Sequence, residues 1–595
     1  MTKRLQLIVF NELSLVHVLW AKWQGRQPIL MDVDSHLPIL SEPLIRLRDW
    51  LIKRDWARSY ASLDDEFKAI ETYWPRVMFY DVFGDTEAWQ DQYFEVDNDA
   101  PMHGYDYAEH HVICNFAKSK HVTFLVARKL HEQGIPFDLV GAPHDTASGL
   151  AAYASSPQPS TSMFRPVCHR VLNIAITLFT LLYTYFWILR RVRVTQPSEE
   201  PVFFAADYNG DPRDHALFED IQSGGRLLVV PRNAHFQGRA REINVNDKII
   251  ASLSGCHTSI SCALQCAAMA TRDILSCYVR RGYQRTGLFS HLIKLPFKRA
   301  QYRIFFDTYR PKFYWGRDDY NEQHIIRRQE LRRIGGVSLG LNHGYSHYAN
   351  VYPMWRCISF DIFYTFGRAQ YDGYTRGLWA NDMVIRTAGP FGVPKAAFHQ
   401  RNAPKPQDIA VFCSAFITVP QFMDLVHTLA EAFPEKIVWL QLKSIFIGTP
   451  DGDAFIAACS DKYENIKYTN APIYEIFQKA QYVFSDPSTI IVEAAHYGCK
   501  SFFADVFPEQ KRTLFRDFPE ICIRSGTDAV QMINKLENDG HIYPLKDLAT
   551  LVINSEDTFY DIVREDLGLA KKRQLDHITR ATVSATNFAA LDDSK

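Results

Sequence analysis

"DIAVFCSAFITVPQFMDLVHTLAEAFPEKIVWLQLK", residues 408–443, holds a short apolar run, an amphipathic stretch opened by proline, and a second short apolar run. Strand-length runs rich in Val, Ile and Phe, separated by segments with helical periodicity, mark a βαβ unit. The alternation continues through "NIKYT", "PIYEIFQKA", "QYVFS", "STIIVEAAHYG", "KSFFAD", "PEQKRTLFRDF", "ICIR" and "GTDAVQMINKLEN". Crossovers between parallel strands are right-handed, so the series predicts a parallel sheet with helices on both faces. Ligands of such sheets bind at the carboxyl ends of the strands.

Upstream the pattern repeats. "PVFFAADYNGDPRDHALFEDI" (201–221) reads as strand, polar turn and helix, "GRLLVVP" as a strand, and "PKFYWGRDD", "NEQHIIRRQELRRIG" and "VSLGLNHG" as another strand, helix and strand. The N-terminal "LQLIVFNE", "LSLVHVLWAKWQ" and "QPILMDVD" begin the same way, and "HVTFLVARKLHEQGIPFDLVG" follows later. The expectation is an α/β protein of two Rossmann-like domains facing across a cleft. It divides into an N-terminal α/β region (1–165) that completes the first Rossmann-like domain or forms its own lobe, an apolar helix with linker (166–200), a first Rossmann-like domain (201–400), a C-terminal Rossmann-like domain (401–545) and a helical tail (546–595).

A chain of 595 residues is long enough for several cores. With 47% hydrophobic and 22% charged residues and a net charge of -1, neither disorder nor a nucleic-acid-binding polycation is indicated. Eleven cysteines lack paired spacing, and Cys256, Cys262, Cys266 and Cys277 do not form zinc knuckles, so they read as reduced thiols of a cytosolic protein with no metal. At the N-terminus Asn11 and Glu12 interrupt the apolar run, which fits a strand and helix better than a signal peptide.

The longest apolar run is "VLNIAITLFTLLYTYFWIL" (171–189), preceded by Arg170 and followed by Arg190, Arg191 and Arg193. It approaches the length of a membrane span, but Asn173 and three threonines weaken it, and basic residues flank both ends. A crossing would separate two halves that together build one site. The reading is a helix lying in or dipping into the inner leaflet, with a long buried helix as the alternative.

The series "IRRQELRRIGGVSLGLNHG", "SFDIFYTFGRAQYDGYTRG", "VIRTAGPFG" and "FSDPSTIIVEAAHYGCK" resembles the GT-B glycosyltransferases of bacterial surface polysaccharides, in particular the CDP-glycerol glycerophosphotransferases, polysialyltransferases and capsule Kdo transferases. The likeness covers about residues 310 to 540. It implies that Ser485, Ser488 and Thr489 hold donor phosphate or nucleotide and that Glu493 meets ribose hydroxyls. Small hydroxyl residues at a helix start suit a phosphate, and a carboxylate one turn on accepts from a diol; a plain helix cap is the other explanation of Ser488. His343 in "LNHG" closes an apolar strand beside a glycine and is expected to act as general base or to contact phosphate, with His347 a weaker candidate. Asp207, Asn209 and Asp211 occupy a turn after a strand, where an aspartate would position or deprotonate an acceptor hydroxyl, although these are also common turn formers. Asp318 and Asp319, beside Arg317, read as a helix cap in preference to a metal pair. Kdo and sialic acid transferases carry a His-Pro after the second strand of the donor domain; here "WLQLKSIFIGTP" keeps Lys443 and lacks it, which argues against a CMP-sugar donor.

The expected function is transfer of a sugar from a nucleotide-sugar donor to a glycan or lipid-linked acceptor, without a cofactor, on the inner face of the cell membrane. Alternatives are transfer of a polyol phosphate on the same fold, a UDP-sugar 2-epimerase, whose early Gly-Thr-Arg-Pro-Glu signature is missing, and a membrane-associated assembly protein without catalysis.

Overall fold

The structure is a computed structural model of the 595-residue chain. It is described for residues 5–10, 14–33, 41–59, 105, 107–109, 111–113, 126–127, 130–131, 134–140, 164–193, 202–283, 286–317, 321–342, 358–369, 382–392, 398–399, 401, 403–414, 417, 419–506, 514–551, 558–571 and 578–579. His343, His347, Asp318 and Asp319 lie outside the described residues.

Among these residues the strands form three sheets. A four-stranded parallel sheet near the N-terminus contains β1 (Leu5–Phe10), β2 (Gln27–Val33), β3 (Arg58–Ser59) and β4 (Phe137–Val140) in the order β3-β2-β1-β4. It has its own core, in which Leu7, Ile29 and Met31 meet Val126 and Leu130. The N-terminal region therefore builds a sheet of its own.

The second sheet has eight strands: β5 (Phe204–Tyr208), β6 (Leu227–Pro231), β7 (Ile249–Ile250), β8 (Phe313–Arg317), β9 (Val337–Leu341), β10 (Ile362–Thr365), β11 (Val384–Thr387) and, from the far end of the chain, β18 (Ile578–Thr579). Their order is β18-β11-β10-β9-β8-β5-β6-β7, and only the β11–β18 pair is antiparallel. The third sheet contains β12 (Asp408–Cys413), β13 (Val438–Leu442), β14 (Ile466–Tyr468), β15 (Ala480–Ser485), β16 (Lys500–Ala504) and β17 (Cys522–Ile523) in the order β14-β13-β12-β15-β16-β17. Numbered within each domain, the third sheet runs 3-2-1-4-5-6 and the second runs 3-2-1-4-5-6 followed by two more strands at its edge, the doubly wound order whose direction reverses between strands 1 and 4. The switch points fall between β5 and β8 in one domain and between β12 and β15 in the other.

Sequence explains the strands simply. β5, β6 and β8 are buried along their whole length, as strands covered on both faces must be. Helices on the two faces of the third sheet bury separate clusters, one with Phe422, Leu425, Ile533 and Phe502, the other with Phe412, Phe477, Ala494 and Tyr497. Local chemistry starts the helices. Pro420 and Pro450 sit in the first turns of Pro420–Ala432 and Pro450–Ser460, where a missing N–H costs nothing, and Thr449 caps the latter.

The tail is more than an appendage. Helix Phe559–Asp566 returns to the first Rossmann domain, where Phe559 and Val563 pack with Trp315, Tyr364 and Phe391. Arg386 holds it from beneath through Asp566 at 3.1 Å. Two doubly wound domains facing across a cleft, with the chain crossing back at its end, constitute the GT-B fold expected from the sequence.

Helix Phe164–Leu189 lies against helix Ile260–Arg281. Residues on both sides of it in the chain, Tyr107 and Ile113 before and Ile274 and Phe305 after, belong to one core with Trp187 and Ile188. The helix therefore does not separate two halves. Cys256, Cys266 and Cys277 are buried in the same core, where desolvation pushes each thiol up to about 12.

Candidate functional site: a cleft between two switch points

The carboxyl ends of β5 and β12 open onto one cavity of about 1040 Å³. Its volume is at the upper end for a small-molecule site. Asn209, Asp211, Arg213, Phe391 and Gly392 contribute from the first domain; Ser414, Gln441, Lys443, Ser488, Thr489 and Glu493 contribute from the second; Tyr560 of the returning helix closes one side.

On the first-domain wall, β5 ends at Tyr208 and the chain turns into helix Pro212–Ile221. Asp211 is the N-cap, its carboxylate accepting from the Arg213 N–H at 2.9 Å. The Arg213 guanidinium then folds back to donate to the same carboxylate, at 2.7 Å from Nη2 and 3.1 Å from Nε. Arg317, at the end of β8, bridges Asp211 and Asp214, reaching the latter at 3.1 Å, and donates to Asn209 at 3.0 Å. Arg317 is a non-glycine residue at φ 49°, a left-handed backbone that its ion pairs hold in place. Burial raises the Asp211 carboxyl, but the hydrogen bonds and charges of Arg213 and Arg317 outweigh it and hold the group well below the usual carboxylate range. Asp214, fully buried, is pushed the other way by desolvation, to about 6. Gly392 (φ 133°) permits the packing of Arg213, because a Cβ there would sit 2.5 Å from the Arg213 Cδ.

On the opposite wall the switch point carries fewer ion pairs among the described residues. Ser414, the residue after β12, donates its N–H (2.9 Å) and Oγ–H (2.6 Å) to the buried carboxylate of Asp486, the residue after β15. This latch ties together the two strand ends where they part at the switch point. Lys443 follows β13, its N–H donating to Cys413 O at 2.9 Å, and Gln441 donates to Ala471 O at 2.8 Å. Beyond Asp486 come Ser488, Thr489 and the half-buried Glu493. Helix Ile490–His496 spans only seven residues and its N-cap, Thr489, makes no side-chain capping bond. The polar groups that line the cavity around this short helix start are Arg213, Lys443, Ser488 and Thr489. Burial raises the Glu493 carboxyl, and Arg213 on the opposite domain opposes that shift. The two walls are thus electrostatically joined across the cavity.

The sequence-expected residues divide. Asp211, Ser488, Thr489, Glu493 and Lys443 line the cavity. Asp207 lies apart from its walls, paired with Arg232 at 3.0 Å and Arg327 at 2.6 Å, because its strand position points it toward helix Gln323–Arg333. Ser485 is fully buried behind Asp486 as the last residue of β15 and also does not line the cavity. Sequence reading passed over Arg213, Ser414 and Asp486 as site residues. Their signal was positional: each lies within a few residues of the end of the first or fourth strand of its domain.

No protein-family model and no curated protein matches the chain. Solved structures to which it is similar include the wall teichoic acid polymerase TagF (10% identity, 69% of this chain and 98% of that one, TM-score 0.39). Others are a UDP-N-acetylglucosamine 2-epimerase from Neisseria meningitidis (8%, 62% and 100%, 0.39) and MurG from Acinetobacter baumannii (9%, 62% and 100%, 0.36). The functional reading rests on the cleft itself.

Proposed function

We propose that the protein is a GT-B transferase that binds a nucleotide-activated sugar in this cleft and passes the sugar to a glycan or lipid-linked acceptor at the inner face of the cell membrane. The observation that carries the reading is the facing of two switch points, with the cationic Arg213 on one side and the half-buried carboxylate of Glu493 on the other, around one cavity. Phosphate would lie among Lys443, Arg213, Ser488 and Thr489, whose donors stabilise charge developing on the departing nucleotide. Glu493 would accept from ribose hydroxyls, and Ile473 and Tyr474 offer an apolar wall for the base. Asp211, held ionised by two arginines, is a weak proton acceptor and serves to position Arg213. The general base we assign is His343, which follows β9 in the chain after Asn342. The membrane part of the reading is supported by helix Phe164–Leu189, which is long and apolar enough to cross a bilayer and is 33% buried over its apolar stretch.

Isothermal titration of the purified chain with CDP-, CMP-, UDP- and GDP-linked donors tests this. Micromolar binding of one class, lost in Glu493→Ala together with the cellular glycan, is expected. Absence of binding across the panel, with glycan intact in the Glu493→Ala strain, would make the transferase reading wrong. Binding of CDP-glycerol alone would move the reaction to polyol-phosphate transfer, and turnover of a UDP-sugar without acceptor would move it to epimerisation.

A further inference from the structure

Helix Phe164–Leu189 has its polarity inverted relative to an ordinary surface helix. Its polar side chains face the protein: Asn173 is fully buried and donates to Gly282 O at 3.0 Å, Thr177 and Thr184 are buried, and the Tyr185 hydroxyl pairs with Thr271 at 2.5 Å. Apart from Trp187 and Ile188 in the core, it turns large apolar side chains outward, with Leu178, Phe179, Leu182 and Phe186 each 54–69% exposed. The neighbouring helix Ile260–Arg281 extends the apolar surface with Leu264 and Val279, 67% and 79% exposed. Burying such side chains is worth about 1.5–3 kcal/mol each, and contiguous apolar surface of this kind marks an interaction site.

A groove runs along one edge of this face, between Phe164–Leu189 and helix Lys294–Tyr309. It encloses about 560 Å³ and is lined by Leu172, Ile176, Phe179, Ile293 and Phe297, with Lys294 and Lys298 at its rim. Lys298 is paired with Glu322. Lys294 makes no hydrogen bond or ion pair among the described residues; desolvation and the neighbouring Lys298 lower its ammonium from the ordinary value, and Glu322, already paired with Lys298, opposes that only in part. An apolar trough ending at a part-buried ammonium with no direct partner among the described residues is complementary to an amphiphile with a hydrocarbon chain and an anionic head. The surroundings agree. The helix carries no acidic residue, and Arg170, Arg190 and Arg193 at its two ends have no carboxylate partner among the described residues. Arg190 lies over the Phe186 ring at 4.7 Å, at the border between apolar and polar surface.

We propose that this groove is a binding site for one anionic phospholipid of the bilayer, with an acyl chain along Ile176, Phe179 and Phe297 and the phosphate on Lys294. The exposed face of the two helices rests in the same leaflet as that lipid. The charge argues for a lipid surface over a protein partner: a neutral apolar partner would leave the ammonium buried and unpaired, whereas an anionic leaflet supplies its counterion and favours each nearby cation. This deepens the membrane part of the proposed function and rests on it, but it is independent of the donor cleft.

The test uses the full chain and vesicles of phosphatidylcholine alone or with 30% phosphatidylglycerol, measured by co-flotation, alongside donor titration as a control for the fold. Wild type is expected to bind the anionic vesicles at least tenfold more tightly than neutral ones. Lys294→Glu should lose about thirtyfold of that affinity, since it removes one attraction and adds one repulsion. Ala175→Trp, at an exposed groove position, should abolish retention of phospholipid detected by native mass spectrometry. Both variants should keep wild-type donor affinity. Equal binding of both vesicle types, unchanged binding by Lys294→Glu, or concentration-dependent dimerisation without vesicle binding would overturn the proposal. Loss of donor binding in wild type would count against the cleft and leave the lipid result standing.

Discussion

The two switch points share a topology and differ in chemistry. Between β5 and β8 the strand ends are tied by a lattice of charges, Asp211 and Asp214 against Arg213 and Arg317. Between β12 and β15 they are tied by a single carboxylate, Asp486, accepting from Ser414 and Ser485, and the cavity lining adds hydroxyls, amides, Lys443 and one carboxylate, Glu493. Topology alone therefore supplies the crevice, and the residues at the strand ends decide what it can hold. The charged wall holds Arg213 in place at the cavity. The hydroxyl wall keeps its capacity for an incoming anion.

The sharpest way to break this contrast is at Arg317, 3% exposed at its side chain and flanked by two carboxylates. Arg317→Ala leaves Asp214 buried and unpaired and should destabilise the protein by about 3–5 kcal/mol, read as a drop in the denaturant midpoint; a loss under 1 kcal/mol would mean the lattice is not structural. Asp486→Asn attacks the other latch. It retains volume and weakens charge-assisted bonds to Ser414, so a loss of about 1.5–3 kcal/mol is expected from the same measurement. Glu493→Gln should leave stability nearly unchanged and weaken donor binding about tenfold to a hundredfold, seen by calorimetry. Lys443→Ala, at the edge of the cavity, should weaken it only about threefold to fivefold, with most of that effect screened at high salt.

The contrast also has a pH signature. Asp214 is raised from 3.8 to about 6 in the folded state, so the native protein binds its proton more tightly than the unfolded chain does. That contribution to stability is full below about 3.8 and is lost as the pH rises through 6. Asp211 is lowered, so its contribution is present above 3.8 and is lost as the pH falls. Asp214→Asn should reduce the decline between pH 4 and 6 and spare the acid-side loss, in urea midpoints measured across that range. On the hydroxyl wall the raised Glu493 carboxyl contributes with the same sign as Asp214. There the pH effect is also on binding: burial raises Glu493, so donor affinity should weaken as the pH falls while still above the ordinary 4.5 of a glutamate.

How much was legible in the sequence follows the same division. Strand and helix periodicity located β12 to β17 and the β5 and β8 segments, because buried parallel strands are continuous apolar runs. The resemblance implied roles for Glu493 and Ser488, and chain order put them and Lys443 just past carboxyl ends of strands, where all three line the cavity. What periodicity could not carry was which way a polar side chain turns. Asp207 and Asp211 are four residues apart in one turn-forming segment, yet the first pairs with Arg232 and Arg327 and the second faces the cavity. The partners of Asp207 lie 25 and 120 positions away and Arg317 lies 106 positions from Asp211, and no local pattern announces them. The return of Phe559–Asp566 to the first domain was invisible for the same reason.

The central claim is that the two switch points form one ligand site, with Arg213 and Glu493 acting on a shared occupant. A double-mutant cycle on donor affinity, comparing wild type, Arg213→Gln, Glu493→Gln and the double variant by calorimetry, addresses it directly. A coupling energy of about 1 kcal/mol or more is expected, because each change alters the field in which the other group meets the donor. Strict additivity, with each single change acting as though the other wall were absent, would contradict the account.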